Sequence, residues 1–304
     1  MNRVIVIVGP TASGKSAVAL SLALKLGGEI VNADSRQIYR FLDAGTSKPS
    51  PEDFKKTPHH LYDFLDPKET YSAGLYARDA KKAIEKIGSA KKISIVVGGT
   101  GLYLRALFDG MTELPQRDEE TRKKLMNLAE EKGRKFLHQK LLEADPVSAA
   151  GIPYQNIQRV VRALEVYHLT GKPMSQWHRE SKQKENSLNP IFFGLERPKE
   201  ILHQRITERS QKILPGLIQE TKMLLERGTK AEDPGLQSLG YRTVVQFLEK
   251  KISREELLTS LVRETRAYAK RQVTWFKRDA RIQWIQIEEP FDPEATAQEV
   301  IRRL

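Results

Sequence analysis

The sequence VIVIVGPTASGKSAVALSLALKLGG, residues 4–28, decides the fold. It opens with a run of β-branched residues that predicts a buried strand, and SAVALSLALKLGG predicts a helix that ends in glycine. The intervening GPTASGKS satisfies the pattern G-x4-G-K-[ST]. A strand before such a loop and a helix after it direct backbone N–H groups and the helix N-terminus toward a diphosphate. The stretch therefore predicts a phosphate-binding loop.

All eight residues of this loop are predicted to bind the diphosphate: Gly9, Pro10, Thr11, Ala12, Ser13, Gly14, Lys15 and Ser16. We expect the Lys15 ammonium to neutralise phosphate oxygens and the Ser16 hydroxyl to help hold Mg²⁺. The loop does not identify the rest of the ligand. Hydrolytic enzymes with such a loop place an Asp at the end of an apolar strand, whereas ISIVVGG, residues 93–99, ends in two glycines. No N-K-x-D or T-K-x-D stretch is present to read guanine, so an ordinary nucleotide is disfavoured.

Apolar runs alternate with amphipathic stretches over the first hundred residues. EIVNADS (residues 29–35) and KKISIVVGGTG (residues 91–101) predict two more strands, and IFFGLE (residues 191–196) predicts a strand that returns to the same sheet. Helices dominate from Asp118, which can cap the first of them, to about residue 184. The pattern predicts the α/β class, with a P-loop NTPase-like parallel sheet core and a helical insertion domain.

The predicted domain boundaries follow from these changes of pattern. The core comprises residues 1–114, the helical insertion residues 115–186, and the completion of the core with C-terminal helices residues 187–304. The polar run RESKQKENSLNP, residues 179–190, is predicted to be a linker or domain edge. Long amphipathic helices are predicted from there almost to the end of the chain.

The composition restricts the class of protein and its partners. The 304 residues include no cysteine, which excludes disulfides and zinc–thiolate sites and fits a reducing compartment. No apolar run approaches the length of a membrane helix, and the first residues lack a signal-peptide pattern, so we expect a cytoplasmic protein without a membrane partner. The net charge is +12, and residues 132–184 contain ten Lys and Arg against four Asp and Glu. This concentration of positive charge favours a polyanion such as nucleic acid.

Asp34 follows the second predicted strand, in EIVNADSRQIYR, residues 29–40. In an open α/β sheet this edge holds the ligands, next to the phosphate loop. A carboxylate there can bind a magnesium water or act as a base toward a nucleophile. It can equally cap a following helix through the neighbouring backbone N–H groups. The residues themselves leave both interpretations open.

The chain resembles the tRNA dimethylallyltransferases, also called tRNA isopentenyltransferases, of the bacterial type. The blocks that carry the resemblance stand in the family's order: GPTASGKS, ADSRQIYRFLDAGTSKP, HHLYDFLDP, YSAGLYARDA, VVGGTGLYLRAL, QRVVRALEVYHLTGKP, LGYR and KRQVTWFKRD. They extend from the loop to about Asp279. Many members carry Thr where this chain has Ser16, and a hydroxyl is kept in either case.

The resemblance implies transfer of a dimethylallyl group from its diphosphate to N6 of an adenine next to the anticodon of tRNA, with release of pyrophosphate. The loop would then hold the leaving group, with Mg²⁺ on the diphosphate, and Asp34, ionised at neutral pH, would act as the general base. Lys15 would stabilise the developing charge, and Thr100 would contribute a hydroxyl near the adenine. Arg209 is the first candidate for reaching the pyrophosphate, and Arg205 is the second.

The resemblance also implies which residues bind tRNA. They are Asp34, Ser35, Arg36, Gln37, Thr100, Arg122, Gln158, Arg159, Val160, Val161, Arg162, Gly240, Tyr241 and Arg242. The target adenine has to leave its stacked loop to reach the site.

The helix NIQRVVRALEVYHL, residues 156–169, is predicted to have a buried and a polar face. Helical spacing places these residues on the buried face: Ile157, Val160, Val161 and Leu164. Gln158, Arg159 and Arg162 then project from the opposite face, where arginines suit stacking on bases and pairing with phosphates. An ordinary solvated face is the alternative that helical geometry alone allows.

Two other functions are compatible with a phosphate loop: a small-molecule kinase that uses ATP, and an RNA-binding ATPase or helicase fragment. A kinase would carry phosphate-clamping arginines in a short lid, whereas this insertion is long and basic. A helicase needs a second recombinase-like domain and a Walker-B Asp, which the sequence lacks. The predicted partners are therefore the tRNA anticodon arm, clamped by the insertion, and dimethylallyl diphosphate. No obligate protein partner is expected, and the protein is predicted to be a monomer.

Overall fold

The computed structural model describes residues 3–112, 114–180 and 188–304. The chain divides into two compact units, Met1–Asp109 together with Asn186–Leu304, and Gly110–Glu185. Most of the predicted linker falls on residues 181–187, which lie outside the described residues.

The first unit is built on a sheet that has six strands within the described residues, and every strand pairing is parallel. The strands are β1 (Arg3–Val8), β2 (Glu29–Asn32), β3 (His59–His60), β4 (Ser94–Val97), β5 (Asn189–Glu196) and β6 (Ile282–Gln286). Their order across the sheet is β3-β2-β4-β1-β5-β6. The predicted α/β class is confirmed, and so is the return of the chain to the sheet at β5, which pairs with β1.

β1 is apolar at nearly every position because both faces of the sheet are covered. Successive side chains of a strand point to opposite faces. Val4, Val6 and Val8 belong to one core cluster, whereas Ile5 and Ile7 belong to another. All five are at most 2% exposed.

Helices supply both clusters. The first unit contains α1 (Lys15–Leu26), α2 (Pro51–Lys56), α3 (Ala73–Ser89), α4 (Gly101–Phe108), α10 (Lys199–Glu226), α11 (Tyr241–Leu248), α12 (Arg254–Phe276) and α13 (Pro293–Arg302). Residues of α3 and α4 pack in the cluster of Val4, and residues of α1 and α13 pack in the cluster of Ile5. α1 ends at Gly27, which has the left-handed conformation, so the predicted helix end at a glycine is confirmed.

A third cluster connects three of these helices to the segment that follows β2. It joins Leu217 of α10, Val244 of α11 and Leu261 of α12 to Ile38 and Leu42. The loop that carries Asp34 is therefore anchored on its C-terminal side by buried apolar contacts.

Within its described residues, the second unit consists of helices joined by short connections and contains no strand. Its helices are α5 (Glu119–Lys132), α6 (Arg134–Ala144), α7 (Pro146–Gly151), α8 (Ile157–Thr170) and α9 (Met174–Glu180). Asp118 caps α5 as predicted, since its carboxylate accepts from the Thr121 backbone N–H at 2.7 Å. The predicted buried face of α8 is also confirmed, because Val160, Val161 and Leu164 are at most 1% exposed in the core of this unit.

The C-terminal third differs from its prediction at one strand. Helices were expected almost to the end, but β6 lies between α12 and α13 and forms a sheet edge beside β5. Ile282 and Ile285 are buried, Trp284 is half-buried, and Gln283 and Gln286 are exposed. Such a short mixed run is a weak signal beside long helices. Within the described residues, no helix is long and apolar enough to cross a membrane.

Candidate active site

The phosphate loop, residues 9–16, connects β1 to α1. Three loop residues have positive φ angles: Gly9 at 150°, Ala12 at 65° and Gly14 at 98°. α1 begins at Lys15, so the loop leads directly into the positive end of a helix dipole, which favours a bound anion. The predicted order of strand, loop and helix is confirmed.

Gly14 has two reasons to be glycine. Its φ of 98° lies in the left-handed region, and a Cβ built on it would lie 2.5 Å from the ring atom Cζ of Phe291. The Arg197 guanidinium lies over the same ring at 4.5 Å from its centroid, and its Nε donates to the Ser13 carbonyl oxygen at 3.0 Å. The segment before α13 thus packs against the phosphate loop.

Lys15 is a half-buried cation that lies near one carboxylate and one guanidinium group. Burial is the main cause that lowers the pKa of its ammonium to about 8. The Asp34 carboxylate opposes this decrease, and the Arg209 guanidinium adds to it. The Lys15 Nζ also donates to the Pro10 carbonyl oxygen at 3.3 Å. These three charged groups therefore share one site at the phosphate loop.

α10 brings both candidate arginines to the loop. Arg209 donates from Nη1 to the Thr11 hydroxyl and from Nε to the Ser47 hydroxyl, the latter at 3.0 Å. Arg205 donates from Nε to the Ala12 carbonyl oxygen at 3.3 Å. Burial lowers the pKa of Arg209, while the Asp34 carboxylate raises it. Arg209 is thus the arginine whose charge is coupled to Asp34, and Arg205 contacts the loop backbone.

Asp34 lies two residues beyond the end of β2 and does not cap a helix. Its carboxylate accepts from the Arg36 backbone N–H at 2.8 Å, and no helix begins there within the described residues. The fully buried Asn32 holds the turn on both sides: its Oδ1 accepts from the Asp34 N–H at 2.8 Å, and its Nδ2 donates to the Asp34 carbonyl oxygen at 3.1 Å. A third contact, from Nδ2 to the Leu61 carbonyl oxygen at 2.9 Å, fixes this amide. Sequence reasoning missed Asn32, although a polar residue inside an apolar strand marks it.

Thr100 connects the end of β4 to the Asp34 loop. Its Oγ1 accepts from the Ser35 backbone N–H at 3.0 Å, and its backbone N–H donates to the Ala33 carbonyl oxygen at 3.1 Å. The hydroxyl of Tyr268 lies near the Thr100 side chain, and burial and the Asp34 charge raise the pKa of Tyr268. The predicted hydroxyl therefore lies beside the predicted base.

The strand-end glycines allow this close approach. A Cβ at Gly98 would lie 2.2 Å from the backbone of Ala33, and one at Gly99 would lie 2.0 Å from Nε2 of Gln272. The glycines that stand in place of a strand-end Asp thus permit the loops after β2 and β4 to touch.

Gln272 is a buried polar residue that sequence reasoning did not single out. It lies in α12, is 4% exposed, and its Oε1 accepts from the Thr11 backbone N–H at 2.8 Å. Its Nε2 donates to the Gly99 carbonyl oxygen at 3.0 Å. The available signal was its helical spacing from the buried residues Ala269 and Phe276.

In the second unit, three predicted tRNA-binding residues belong to one ion-pair network. The carboxylate of Glu165, 0% exposed, accepts from Arg122 at 3.1 Å and from Arg162 at 3.0 Å. Arg122 also donates to the Gln158 side chain at 2.9 Å. Arg159 is exposed. Glu165 was not predicted, because a Glu in an amphipathic helix gives no sign of burial.

Several predicted tRNA-binding side chains lie in the core of their unit. Val160, Val161 and Tyr241 are 0% exposed, and the Tyr241 hydroxyl donates to Glu220 at 2.7 Å. A Cβ at Gly240, whose φ is 86°, would lie 2.8 Å from Leu261. Packing explains why these positions are buried, and their assignment to tRNA stays a prediction.

The remaining predicted positions differ in their availability to a partner. The Gln37 amide is 8% exposed and donates to two backbone carbonyl oxygens, at 3.0 and 2.9 Å. Arg36 donates to the Pro234 carbonyl oxygen at 3.3 Å and is half-buried, as is Ser35. Arg242 is exposed.

The donor groups near the loop fit a magnesium ion bound mainly by a diphosphate. Ser16 carries an exposed hydroxyl in the first turn of α1, and Asp34 supplies a carboxylate whose charge reaches Lys15. Mg²⁺ takes oxygen ligands and keeps several waters, with one or two protein groups and substrate phosphates completing its shell.

Comparisons with a family model and with individual known proteins point to the same family. A family model described as IPP transferase matches residues 37–279. The chain is 45% identical over 286 residues to a protein of Carboxydothermus hydrogenoformans named tRNA dimethylallyltransferase. The aligned residues cover 93% of this chain and 91% of the relative.

Two solved structures are also similar. The full-length tRNA isopentenylpyrophosphate transferase from Bacillus halodurans gives a TM-score of 0.72 at 33% identity, over 100% of this chain and 95% of that chain. A eukaryotic dimethylallyltransferase acting on tRNA gives a TM-score of 0.81 at 29% identity, over 99% of this chain and 78% of that chain.

Proposed function

Because the chain belongs to the IPP transferase family and is a tRNA dimethylallyltransferase, we propose that it transfers the dimethylallyl group of dimethylallyl diphosphate to N6 of an adenine next to the anticodon. One observation carries the proposal: Arg209 donates to the Thr11 hydroxyl of the phosphate loop, and the charge of the Asp34 carboxylate acts on both Arg209 and Lys15. A leaving-group site and a base are then adjacent.

The donor diphosphate lies in the phosphate loop in this proposal. The bond between the allylic carbon and the bridging oxygen breaks, and the electron pair leaves with pyrophosphate. The Lys15 ammonium, the Arg209 guanidinium and the loop amides stabilise the charge that develops there. Ser16 and the diphosphate oxygens would hold Mg²⁺, which supplies further neutralisation of that charge when bound.

Asp34 is the proposed general base. The exocyclic amine of adenine is a poor nucleophile because its lone pair is delocalised into the ring. As N6 bonds to the allylic carbon, its proton passes to the Asp34 carboxylate and later to solvent. Asn32 holds the turn that carries this carboxylate, and Thr100 places a hydroxyl group beside it.

The tRNA partner is recognised through exposed cations in this proposal. Arg159 and Arg242 are exposed, and the Arg122–Arg162–Glu165 network adds two half-buried guanidinium groups in the second unit. Arginine pairs with phosphates and stacks on splayed bases. A tRNA substrate agrees with the expected cytoplasmic location, and a monomer is the expected state of the protein.

The test is an assay with unmodified bulk tRNA and either dimethylallyl diphosphate or ATP, followed by mass analysis of the nucleosides. We expect a prenylated adenosine only with the allyl donor, with release of one pyrophosphate for each transfer. Transfer of phosphate from ATP, without prenylation from the allyl donor, would contradict the proposal and favour a kinase. Unmodified tRNA whose target adenine is replaced serves as the matched control.

A further inference from the structure

Gln272 makes one hydrogen bond to each of two loops that lie far apart in the sequence. Its Oε1 accepts from the N–H of Thr11 in the phosphate loop, and its Nε2 donates to the carbonyl oxygen of Gly99, next to Thr100. The distances are 2.8 and 3.0 Å. Only this orientation of the amide satisfies both contacts, because the N–H can only donate and the carbonyl oxygen can only accept.

The contact has little freedom to change. Gln272 is 4% exposed, and a Cβ at Gly99 would lie 2.0 Å from its Nε2. Trp275, one helical turn later in α12, lies against Gly101, where a Cβ would be 2.1 Å from the Trp275 Nε1. One face of α12 therefore contacts both the loop of the proposed leaving group and the loop of the proposed acceptor site.

Thr11 and Thr100 each lead on to a charged group of the site. The Thr11 hydroxyl accepts from Arg209, and Thr100 accepts from Ser35, the neighbour of Asp34. The Gln272 amide thus links the loop of the proposed pyrophosphate site to the loop that contacts the turn of the proposed base. A second route to the same segment passes through Ser47, which accepts from Arg209 and from Gln37.

We propose that Gln272 is a positioning residue that sets the distance between the bound allyl diphosphate and the adenine acceptor. The inference rests on the proposed transfer reaction and adds to it a residue that touches neither substrate. Alignment of the reacting atoms within a fraction of an ångström controls the rate of such a bimolecular step. Without the two Gln272 hydrogen bonds, each loop still binds its own substrate. The Gln272 side chain then no longer fixes the position of one loop relative to the other.

A loss of register has a chemical consequence besides a lower rate. When the allylic carbon–oxygen bond ionises and N6 is misplaced, a water oxygen bonds to the carbon instead and its proton goes to solvent. The products are dimethylallyl alcohol and pyrophosphate, and no group reaches the tRNA. The ratio of alcohol to prenylated tRNA therefore reports alignment, whereas a lower fraction of folded protein leaves that ratio unchanged.

The experiment compares Gln272→Met and Gln272→Glu with the wild-type protein. The Met variant has a similar volume and lacks both hydrogen bonds, and the Glu variant keeps an acceptor for the Thr11 N–H but cannot donate to Gly99 when ionised. We expect kcat for transfer to fall roughly ten- to hundredfold in both. The alcohol share of products should rise at least severalfold, while the Kd values for pyrophosphate and tRNA stay within about threefold. The Glu variant should recover transfer as the pH is lowered, because a protonated carboxyl group can donate to the Gly99 carbonyl oxygen.

Thr265→Val is the matched control. Thr265 is another buried polar residue of α12, but its hydroxyl donates within the helix, to the Leu261 carbonyl oxygen at 2.7 Å. Its product ratio should equal that of the wild type. An unchanged ratio in both Gln272 variants, or an equal change in Thr265→Val, overturns the inference. If Gln272→Met does not fold, the Glu variant alone decides. A wild-type protein that prenylates no tRNA would instead refute the proposed function, so the two failures are distinguishable.

Discussion

Lys15 combines burial with a neighbouring cation, and both lower the pKa of its ammonium, to about 8. In the ligand-free protein the folded state therefore holds this proton less tightly than the unfolded chain does. Its contribution to the free energy of unfolding consequently rises with pH above about 8, up to the ordinary lysine value. A bound diphosphate reverses the balance, because an adjacent anion favours the charged ammonium.

Pyrophosphate binding should consequently take up protons at mildly alkaline pH. We expect up to one proton per pyrophosphate to be absorbed near pH 9, and affinity to weaken as the pH rises through about 8, because the ammonium form binds the anion. Calorimetry in buffers of different ionisation enthalpy measures the uptake. Lys15→Arg keeps a permanent charge, so it reports the titration of the ligand alone. Equal uptake by the two proteins would contradict the prediction.

Asp34→Asn tests the base without disturbing its turn, since an Asn oxygen can still accept from the Arg36 N–H. We expect kcat for transfer to fall by about 10²–10⁴ because N6 loses its proton acceptor. Pyrophosphate should bind at least as tightly, because a negative charge near Lys15 is removed. Single-turnover transfer and separate binding of tRNA and pyrophosphate measure the two effects.

The control for Asp34→Asn is Glu232→Gln, which removes an exposed carboxylate from another loop of the same unit. It should leave both measurements unchanged. If Asp34→Asn instead loses tRNA binding and retains turnover at saturation, Asp34 is a binding residue and not the base.

At the scale of elements, the sequence predicts those whose signal is local. β1, the loop and α1 lie within one continuous stretch in which apolar run, glycine pattern and helical periodicity agree, and all three were predicted. Asp34 was placed correctly at a strand end, but its two interpretations could be separated only by seeing that no helix starts there within the described residues.

The missed features depend on contacts that span the chain. Gln272 and Thr11 are separated by 261 positions, so no window around either residue contains the reason for the other. Glu165 looks like any polar residue of an amphipathic helix until Arg122, from a different helix, is packed against it. β6 forms as a strand because its backbone pairs with β5 at the edge of the sheet. Each of these signals is tertiary.

Glu165 is the buried carboxylate that neutralises two arginines of the second unit. Besides Arg122 and Arg162, its carboxylate accepts from the Asp118 N–H at 2.7 Å. Glu165→Ala leaves two partly buried guanidinium groups without their anion, and we expect the free energy of unfolding to fall by about 3–5 kcal/mol. Chemical denaturation of the full-length protein, followed by circular dichroism, measures the loss.

Glu143→Ala is the matched control in the same unit. Glu143 forms an exposed pair with Lys140 at 3.6 Å, and exposed pairs contribute about 0–1 kcal/mol. Comparable destabilisation by the two variants would show that burial of Glu165 adds nothing, and would contradict the prediction.

At the scale of the whole molecule, net charge and the positions of individual cations contribute differently to tRNA binding. The net charge of +12 gives a long-range attraction to any polyanion, and this part of binding does not depend on where a cation lies. Specific phosphate contacts differ because each one releases counterions locally and steepens the salt dependence of the affinity. The salt dependence of the tRNA affinity can therefore separate the effect of a cation's position from the effect of the net charge.

We expect the logarithm of the tRNA association constant to fall linearly with the logarithm of salt concentration. Removing the two exposed arginines, in Arg159→Ala/Arg242→Ala, should lower the magnitude of the slope by about 1.4–1.8, at roughly 0.7–0.9 per contact. Lys81→Ala/Lys86→Ala removes the same charge from two exposed positions of α3, neither of which is assigned to tRNA, and should change the slope little. Fluorescence anisotropy across a salt series measures both. If the two double variants shift the slope equally, only net charge attracts the tRNA, and the assignment of Arg159 and Arg242 to its surface is wrong.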